Sequence, residues 1–356
     1  MLGNAVFSTT AFTGATETAQ AIRRTMAEHL APGAPLIAET GGLNAMIVDT
    51  TALTEQAVRD AVTSAFRSAG QRCSALRCLY VQKEAEGRLV SMLKGAMDEL
   101  TIGDPWPIST DVGPLIDAEA REGIAAHVET ARAEGRLLHE TRLPAQAAAS
   151  GHFLAPALIR VQGIADLERE VFGPVLHVAT FEADELDAVI EAINARGYGL
   201  TFGLHTRIDG RVQHVAERVQ AGNLYVNRNQ IGAIVGSQPF GGEGLSGTGP
   251  KAGGPRYLTR FRALPAPPAE TSGAAGEASG APLDAPALSA RLARATGVGM
   301  MLEAQSLPGP TGESNRLARI ARAPLLCLGP GAGAAQAQAR AVRALGGVAV
   351  EVPEPV

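Results

Sequence analysis

Apolar positions along this chain recur with two periods, and the two alternate. Short apolar runs of strand length fall at Pro35 to Ala38 and Ala45 to Val48. A helical stripe follows over Leu53 to Ala69, with Ala57, Val58, Ala61, Val62, Ala65 and Phe66 on one face. Leu76 to Val81 reads as a strand, Gly87 to Leu100 as an amphipathic helix, and Asp117 to Gly135 as a helix with an Asp start and a Gly stop. The alternation continues with strand Val175 to Phe181, helix Leu186 to Asn194, strand Thr201 to His205, helix Val212 to Gln220 and strand Asn223 to Val226. Strands alternating with helices predict an α/β fold with a mostly parallel sheet and flanking helices.

The pattern changes past Phe261. No Phe, Trp or Tyr follows it, although aromatics make up 4% of the 356 residues. Leu264 to Leu288 is dominated by Pro, Ala, Gly, Ser and Glu, which reads as a linker. Beyond it come a weak helix near Ala287 to Ala295, a Leu-Pro-Gly-Pro turn at 307–310, and a run at Pro324-Leu-Leu-Cys-Leu. A helix near Ala335 to Leu345 and a closing Val348-Ala-Val-Glu-Val complete a truncated, Rossmann-like β-α-β segment. The composition is 46% hydrophobic and 19% charged, with a net charge of −5. That excludes a disordered tail and gives no basic block for nucleic acid, so no nucleic-acid partner is expected. The three cysteines, Cys73, Cys78 and Cys327, are too scattered for a disulfide framework. No apolar run is long enough to cross a membrane and the first residues carry no secretion signal, so a cytoplasmic location is expected. No metal site is expected.

The candidate chemistry lies in Phe66-Arg-Ser-Ala-Gly-Gln-Arg-Cys-Ser-Ala-Leu-Arg. Cys73 falls in a short turn after a helix, where free backbone N–H groups lower a thiol pKa and can hold an oxyanion. Taken alone, Cys73 reads more readily as an ordinary small buried residue. Cys78 alternates into the following strand and is expected to be buried and inert. Glu39 closes a short strand at Glu39-Thr-Gly-Gly, a loop position from which a carboxylate can project into a cleft.

Together these segments resemble the active site of the aldehyde dehydrogenase superfamily, which carries Glu-(Leu/Thr)-Gly-Gly and Gly-Gln-x-Cys in this order. Ala11-Phe-Thr-Gly-Ala-Thr, Glu170-Val-Phe-Gly-Pro-Val, Asn223-Leu-Tyr-Val-Asn and Gln238-Pro-Phe-Gly-Gly-Glu-Gly-Leu-Ser-Gly resemble its other marks, covering roughly residues 7 to 262. Within the superfamily, Ser64 to Arg77, Tyr198 to Arg207 and Gly249-Pro-Lys-Ala-Gly-Gly-Pro look like the L-glutamate γ-semialdehyde dehydrogenase modules of bifunctional proline-utilisation flavoproteins.

The resemblance implies NAD as cofactor and an aldehyde substrate bearing an α-amino acid carboxylate. It implies that Cys73 is the nucleophile and Glu39 the general base for thioester hydrolysis. Thr13, Gly14, Thr40, Gly41, Glu170 and Phe172 match the family's cofactor positions, although Glu170 alone reads as a solvated charge. Ser74, Gly232 and Ala233 match its carboxylate anchor, and Phe240 the residue packed on the substrate stem. The resemblance divides the chain into 1–38, the end of a nucleotide-binding domain; 39–262, a catalytic domain; 263–306, a linker; and 307–356, a partial β-α-β unit. Two departures stand out. Ala15 replaces the usual Ser of the Phe-Thr-Gly turn, and the first half of such an enzyme would lie upstream of Met1. The chain is therefore expected to be a C-terminal piece, with that half as an open partner and homo-oligomerisation undetermined. The alternative is an inactive remnant or interaction fragment that binds no NAD. A second nucleotide signal, Gly329-x-Gly331-x-x-Ala334 with Glu351 at the end of the next strand, fits a dinucleotide fingerprint. It is weighed down by the truncated sheet and the Ala-rich context.

Overall fold

The computed structural model describes residues 9–30, 34–261, 284–295, 301–321, 324–329 and 331–352, in two compact units. The first unit holds residues up to 235 and from 239 to 261. It opens with β1 (Thr10–Thr13), α1 (Thr16–His29) and β2 (Leu36–Glu39), whose two strands pair in parallel with Thr13 opposite Glu39. Neither β1 nor α1 stands out in the apolar pattern, because both are largely exposed. Ala15 sits at the N-cap of α1 and offers no side-chain acceptor, which leaves an N–H of the first turn without the usual cap.

The main sheet is built from β3 (Ala45–Val48), β4 (Cys78–Gln82), β5 (Leu137–Glu140), β6 (Ala157–Arg160), β7 (Val175–Phe181), β9 (Thr201–His205) and β10 (Asn223–Val226). Between them run α2 (Thr54–Phe66), α3 (Lys83–Asp98), α4 (Ala118–Ala133), α5 (Ala145–Ser150), α6 (Leu186–Ala195) and α7 (Asp209–Arg218). The two-residue strands β8 (Tyr198–Gly199) and β11 (Glu243–Gly244) pair with each other. Seven strands lie in the order β10-β9-β3-β4-β7-β6-β5, and every pairing is parallel except β5 with β6. The expected mostly parallel sheet is present. At this edge β5 escapes the pattern because it is half-buried throughout, and β6, buried over Ala157 to Ile159, because its apolar run is only three residues long.

Alternation along the central strands divides the core between two faces. Met46, Val48, Leu79 and Val81 pack with Phe66, Leu89, Leu93 and Met97 on the α2–α3 side. Ala45, Ile47, Cys78 and Tyr80 pack with Val189, Ile190 and Val215 on the α6–α7 side. A sheet covered on both faces demands near-continuous apolar strands, and β3 and β4 are buried at every position. Cys78 is fully buried, and desolvation drives its thiol far above the usual range. Asp117 caps α4 through a 2.8 Å bond from the Ala120 N–H, as its sequence position predicts. Element ends move by a few residues: α2 stops at Phe66 rather than continuing to Ala69, and β4 starts at Cys78 rather than Leu76.

In the second unit, α8 (Ala285–Ala293), β12 (Met301–Leu307) and β13 (Asn315–Ile320) precede β14 (Leu325–Cys327), α9 (Gly331–Ala344) and β15 (Ala349–Glu351). The stretch read as linker to residue 306 thus carries a helix and most of a strand, while its parts 263–283 and 296–300 lie outside the described residues. The antiparallel β12–β13 hairpin turns at the expected Leu-Pro-Gly-Pro site; its exposed strands gave no apolar signal. The β14–α9–β15 crossover is parallel, as read.

Two buried imidazoles tie the fold to pH. His177 is 1% exposed, contacts the Arg77 carbonyl through Nδ1 at 3.0 Å and meets His127 Nε2 at 2.9 Å. Burial pushes its pKa down from 6.5 to about 3, and that of His205 to about 4. The unfolded imidazoles take up protons below pH 6.5 while the folded ones do not, so their stabilisation is complete above 6.5 and lost as pH falls. Each costs about 1.4 kcal/mol per pH unit across that window. Glu39, raised from 4.5 to about 7, works in the opposite sense, as do Asp60 and Glu170, which burial also raises. The urea midpoint by far-UV circular dichroism thus carries opposed contributions, and His177→Gln is expected to remove from its pH dependence a loss of about 1.4 kcal/mol per pH unit on acidification from pH 6.5 to 4; an equal slope in both proteins would refute it.

Candidate active site

The cysteine turn begins where α2 breaks. Ser68 (φ 56°), Ala69 (φ 53°) and Gly70 (φ 66°) are all left-handed, a conformation that costs non-glycine residues roughly 1 kcal/mol or more each. A Cβ at Gly70 would lie 2.1 Å from the Gly173 carbonyl oxygen, so glycine is required there on both counts. Gln71 anchors the turn from outside, donating to the Pro114 carbonyl at 3.1 Å and accepting from the Ile116 N–H at 2.9 Å.

Arg77 holds the turn from beneath. Its side chain is completely buried, and its guanidinium donates to the carbonyls of Gly70 (2.8 Å), Arg72 (3.1 Å) and Gly173 (3.3 Å). Nε and Nη2 both donate to Glu170 Oε1, at 3.1 and 2.9 Å. One cation therefore joins Gly70 and Arg72, just ahead of Cys73, to the Glu170–Gly173 segment. Glu170 is not the solvated charge its neighbours suggest, since its side chain is 17% exposed. Gly41 packs against this carboxylate so closely that a Cβ would sit 2.0 Å from Oε2, and the Gly42 N–H donates to the same oxygen at 3.3 Å. Phe172 is exposed, with its ring 5.2 Å from the Arg77 guanidinium carbon.

A second clamp grips the cysteine from the other side. Buried Asn44, at the mouth of β3, donates to the carbonyls of Cys73 (2.6 Å) and Ala75 (2.9 Å) and accepts from the Thr201 N–H (3.1 Å). Buried Ser74 has its carbonyl bound by the Thr201 hydroxyl at 3.2 Å and by Gln230 Nε2 at 3.4 Å. Gln230 leads directly into Ile231-Gly-Ala, where Gly232 is exposed at φ 76° and Ala233 is half-buried. The loop thus starts beside Ser74.

Glu39 ends β2 in a cage of backbone. The Gly242 N–H donates to Oε2 at 2.7 Å, and a Cβ on Gly247 would lie 2.8 Å from either carboxylate oxygen. Thr40 ties the following turn to this loop, its hydroxyl donating to the Leu245 carbonyl at 2.5 Å and its N–H to Ser246. Gly14 donates to the Glu39 carbonyl at 3.1 Å, which places the Thr13–Gly14 turn on the backbone behind Glu39. Half-buried Phe240 pairs through its backbone with Ala252.

Electrostatics correct one expectation. The Cys73 thiol is pushed up, not down: burial raises it most, the Glu170 carboxylate raises it further, and the Glu39 carboxylate adds to both. The N–H groups of Ser74 and Cys73 do favour the thiolate, but two facing carboxylates and desolvation outweigh them. Glu39 is raised to about 7 by burial, against the pull of Gly242, Lys251 and Gly249. Burial also pushes Glu170 up, with Arg77 drawing it back.

The turn-glycine signal of the second unit is spent internally. Gln338 bonds both the N–H and the carbonyl of Gly329 at 3.1 Å, and Glu351 is paired with Arg343 at 2.8 Å. Among the described residues no group of three or more His, Cys, Asp or Glu could hold a metal, and no helix is long and apolar enough to cross a membrane. Arg77, Asn44, Gln230 and Thr201 were missed by sequence reasoning. Only Arg77 left a readable trace, as a charge inside Ala75-Leu-Arg-Cys-Leu-Tyr-Val that must find a partner if the run is buried.

The aldehyde dehydrogenase family profile matches residues 1–264. The bifunctional protein PutA of Klebsiella aerogenes is 46% identical over 364 residues, covering 94% of this chain and 28% of that protein. A crystal structure of a Bradyrhizobium japonicum proline utilization A (PutA) mutant is 52% identical with a TM-score of 0.70, over 73% of this chain and 26% of that one. A 1-pyrroline-5-carboxylate dehydrogenase from Thermus with bound NAD is 33% identical with a TM-score of 0.66, over 73% of this chain and 50% of that one. The chain spans little more than a quarter of the PutA relative's length, 28%.

The Arg77–Glu170 pair has a direct energetic signature. Arg77→Met strands a buried carboxylate and three carbonyls, so the expected loss is about 3–5 kcal/mol in urea unfolding. Arg77→Met combined with Glu170→Gln is expected to lose less than the two single changes together, because the stranded charge is gone. Strict additivity would contradict the pairing.

Proposed function

Because this chain belongs to the aldehyde dehydrogenase family, we propose that it carries the catalytic residues for NAD-dependent oxidation of L-glutamate γ-semialdehyde to L-glutamate, the second step of proline catabolism. What supports this reading is that Cys73 and Glu39 share one electrostatic neighbourhood: the Glu39 carboxylate adds to the rise of the thiol, and burial raises Glu39 itself to about 7. The names of the PutA and 1-pyrroline-5-carboxylate dehydrogenase relatives support the substrate.

In this reading Cys73 Sγ, as thiolate, attacks the aldehyde carbon to form a thiohemiacetal. NAD, when bound, would supply the hydride acceptor for oxidation of this adduct to a thioester. Glu39 then takes a proton from water, which attacks the thioester carbon and releases glutamate and the thiol. A base with a pKa near 7 is balanced between holding and releasing a proton at neutral pH. Glu170 fits a ribose contact, because its Oε2 accepts only the long bond from Gly42 and keeps acceptor capacity. Exposed Phe172 stands beside it, with Thr13, Gly14, Thr40 and Gly41 on the cofactor side. Ser74, Gly232 and Ala233 would take the α-carboxylate through a hydroxyl and two N–H groups, and Phe240 the aliphatic stem.

The decisive experiment is NADH formation from the semialdehyde by this chain mixed with the portion of a PutA relative that precedes the matched region. Cys73→Ala is expected to lower the rate on the order of 10³-fold or more. A Cys73→Ala mixture as active as the parent would overturn the nucleophile. The rate is expected to rise with pH through an apparent pKa near 7 as Glu39 ionises, with the raised thiol extending the rise, and Glu39→Gln to remove that limb. A second reading, an inactive remnant or interaction fragment that binds no NAD, is favoured for the chain alone by one observation. Its described residues on the cofactor side are a single pair of strands with one helix. Equilibrium dialysis separates the two, since tight one-to-one NAD binding by the chain alone would dispose of the remnant.

A further inference from the structure

The proposed base is not alone in its pocket. Gly241 stands between Glu39 and Lys251: a Cβ there would meet Glu39 Oε1 at 3.2 Å, Lys251 Cα at 3.1 Å and Lys251 Cγ at 3.3 Å. With no side chain on Gly241, the lysine stem and the carboxylate oxygen both pack against the same residue. Lys251 Nζ donates to the Gly222 carbonyl and lies 3.4 Å from Asn223 Oδ1. Asn223 accepts from the Gly241 N–H at 3.2 Å and donates to the Pro239 carbonyl at 2.9 Å. The next residue, Gly242, donates to Glu39 Oε2. An unbroken chain therefore runs from the ammonium through Asn223 and the Gly241–Gly242 backbone to the carboxylate. Glu39 Oε1, on the Gly241 side, is buried with no hydrogen-bond partner among the described residues.

On this geometry we propose that Lys251 is a positioning residue for Glu39, holding the carboxylate's orientation and negative charge beside Cys73. The inference rests on Glu39 being the base. The charged groups around it are few: Lys251 and the amides of Gly242 and Gly249 favour the carboxylate, and Cys73 faces it. Glu243 and Glu39 both act on Lys251, and Glu170 acts on Cys73. The orphaned oxygen needs a cation nearby, because a carboxylate with one bare oxygen in a low-dielectric pocket is otherwise driven to the neutral acid.

The test is the titration of Glu39 itself, followed by ¹³C NMR of the full chain carrying carboxyl-labelled glutamate, with Glu39→Gln identifying the signal. Lys251→Met and Lys251→Gln are expected to raise its midpoint by about one pH unit. Lys251→Gln keeps a donor for the Gly222 carbonyl, so the fold is retained while the charge is removed. Lys251→Arg is expected to titrate with the parent. A Glu39 midpoint unchanged in Lys251→Gln, or moved equally in Lys251→Arg, overturns the proposal. Because no turnover is read, the outcome is independent of the base assignment. That assignment fails separately if complemented activity survives Glu39→Gln.

Discussion

A fully buried guanidinium organises the site. Arg77 lies at the start of a central parallel strand, where burial forbids an unpaired charge, and it satisfies its donors with three carbonyls and Glu170. Those carbonyls belong to the cysteine turn and to the Glu170–Gly173 segment. The requirement to satisfy one cation thereby fixes two loops that are far apart in sequence. It also stabilises three successive left-handed residues, two of them with side chains, that no local preference would choose. Strain at the turn and the salt bridge beneath it belong together: the second holds the first in place.

The same pairing sets the electrostatics. Arg77 holds Glu170, whose charge raises the thiol, and Glu39 adds to it, so burial and two carboxylates together disfavour the thiolate. The resting site favours a protonated thiol and a Glu39 balanced near neutrality. In the proposed chemistry the charge needed for attack is thus generated only when a proton can leave. Lys251, at the edge of the Glu39 cage, sets how readily that carboxyl stays ionised.

The sequence made the scaffold legible where burial imposes a period. Strands β3, β7, β9 and β10 lie where the apolar runs predict, and Asp117 caps its helix as read. Half-buried β5 and the exposed hairpin β12–β13 were silent because exposed or edge strands need no apolar alternation. Cys73 and Glu39 stand in one electrostatic neighbourhood, a proximity their motifs implied. What failed was the sign of the thiol shift. Turn geometry was read as favouring the thiolate, while the two carboxylates brought in by long-range packing were invisible in local sequence. Asn44, Thr201 and Gln230 escaped for the same reason: an ordinary polar residue becomes a clamp only once distant carbonyls arrive beside it.

The central claim is that a buried Arg77–Glu170 pair holds a carboxylate against the Cys73 thiol. The pH dependence of iodoacetamide labelling, mapped by mass spectrometry, measures this directly, since Cys78 and Cys327 are buried and Cys73 is not fully so. The account predicts that Cys73 alone is alkylated in the native chain, with a midpoint above the ordinary cysteine range of about 8.5. It also predicts that Glu170→Gln lowers that midpoint. A parent midpoint at or below the ordinary value, left unmoved by Glu170→Gln, would contradict it.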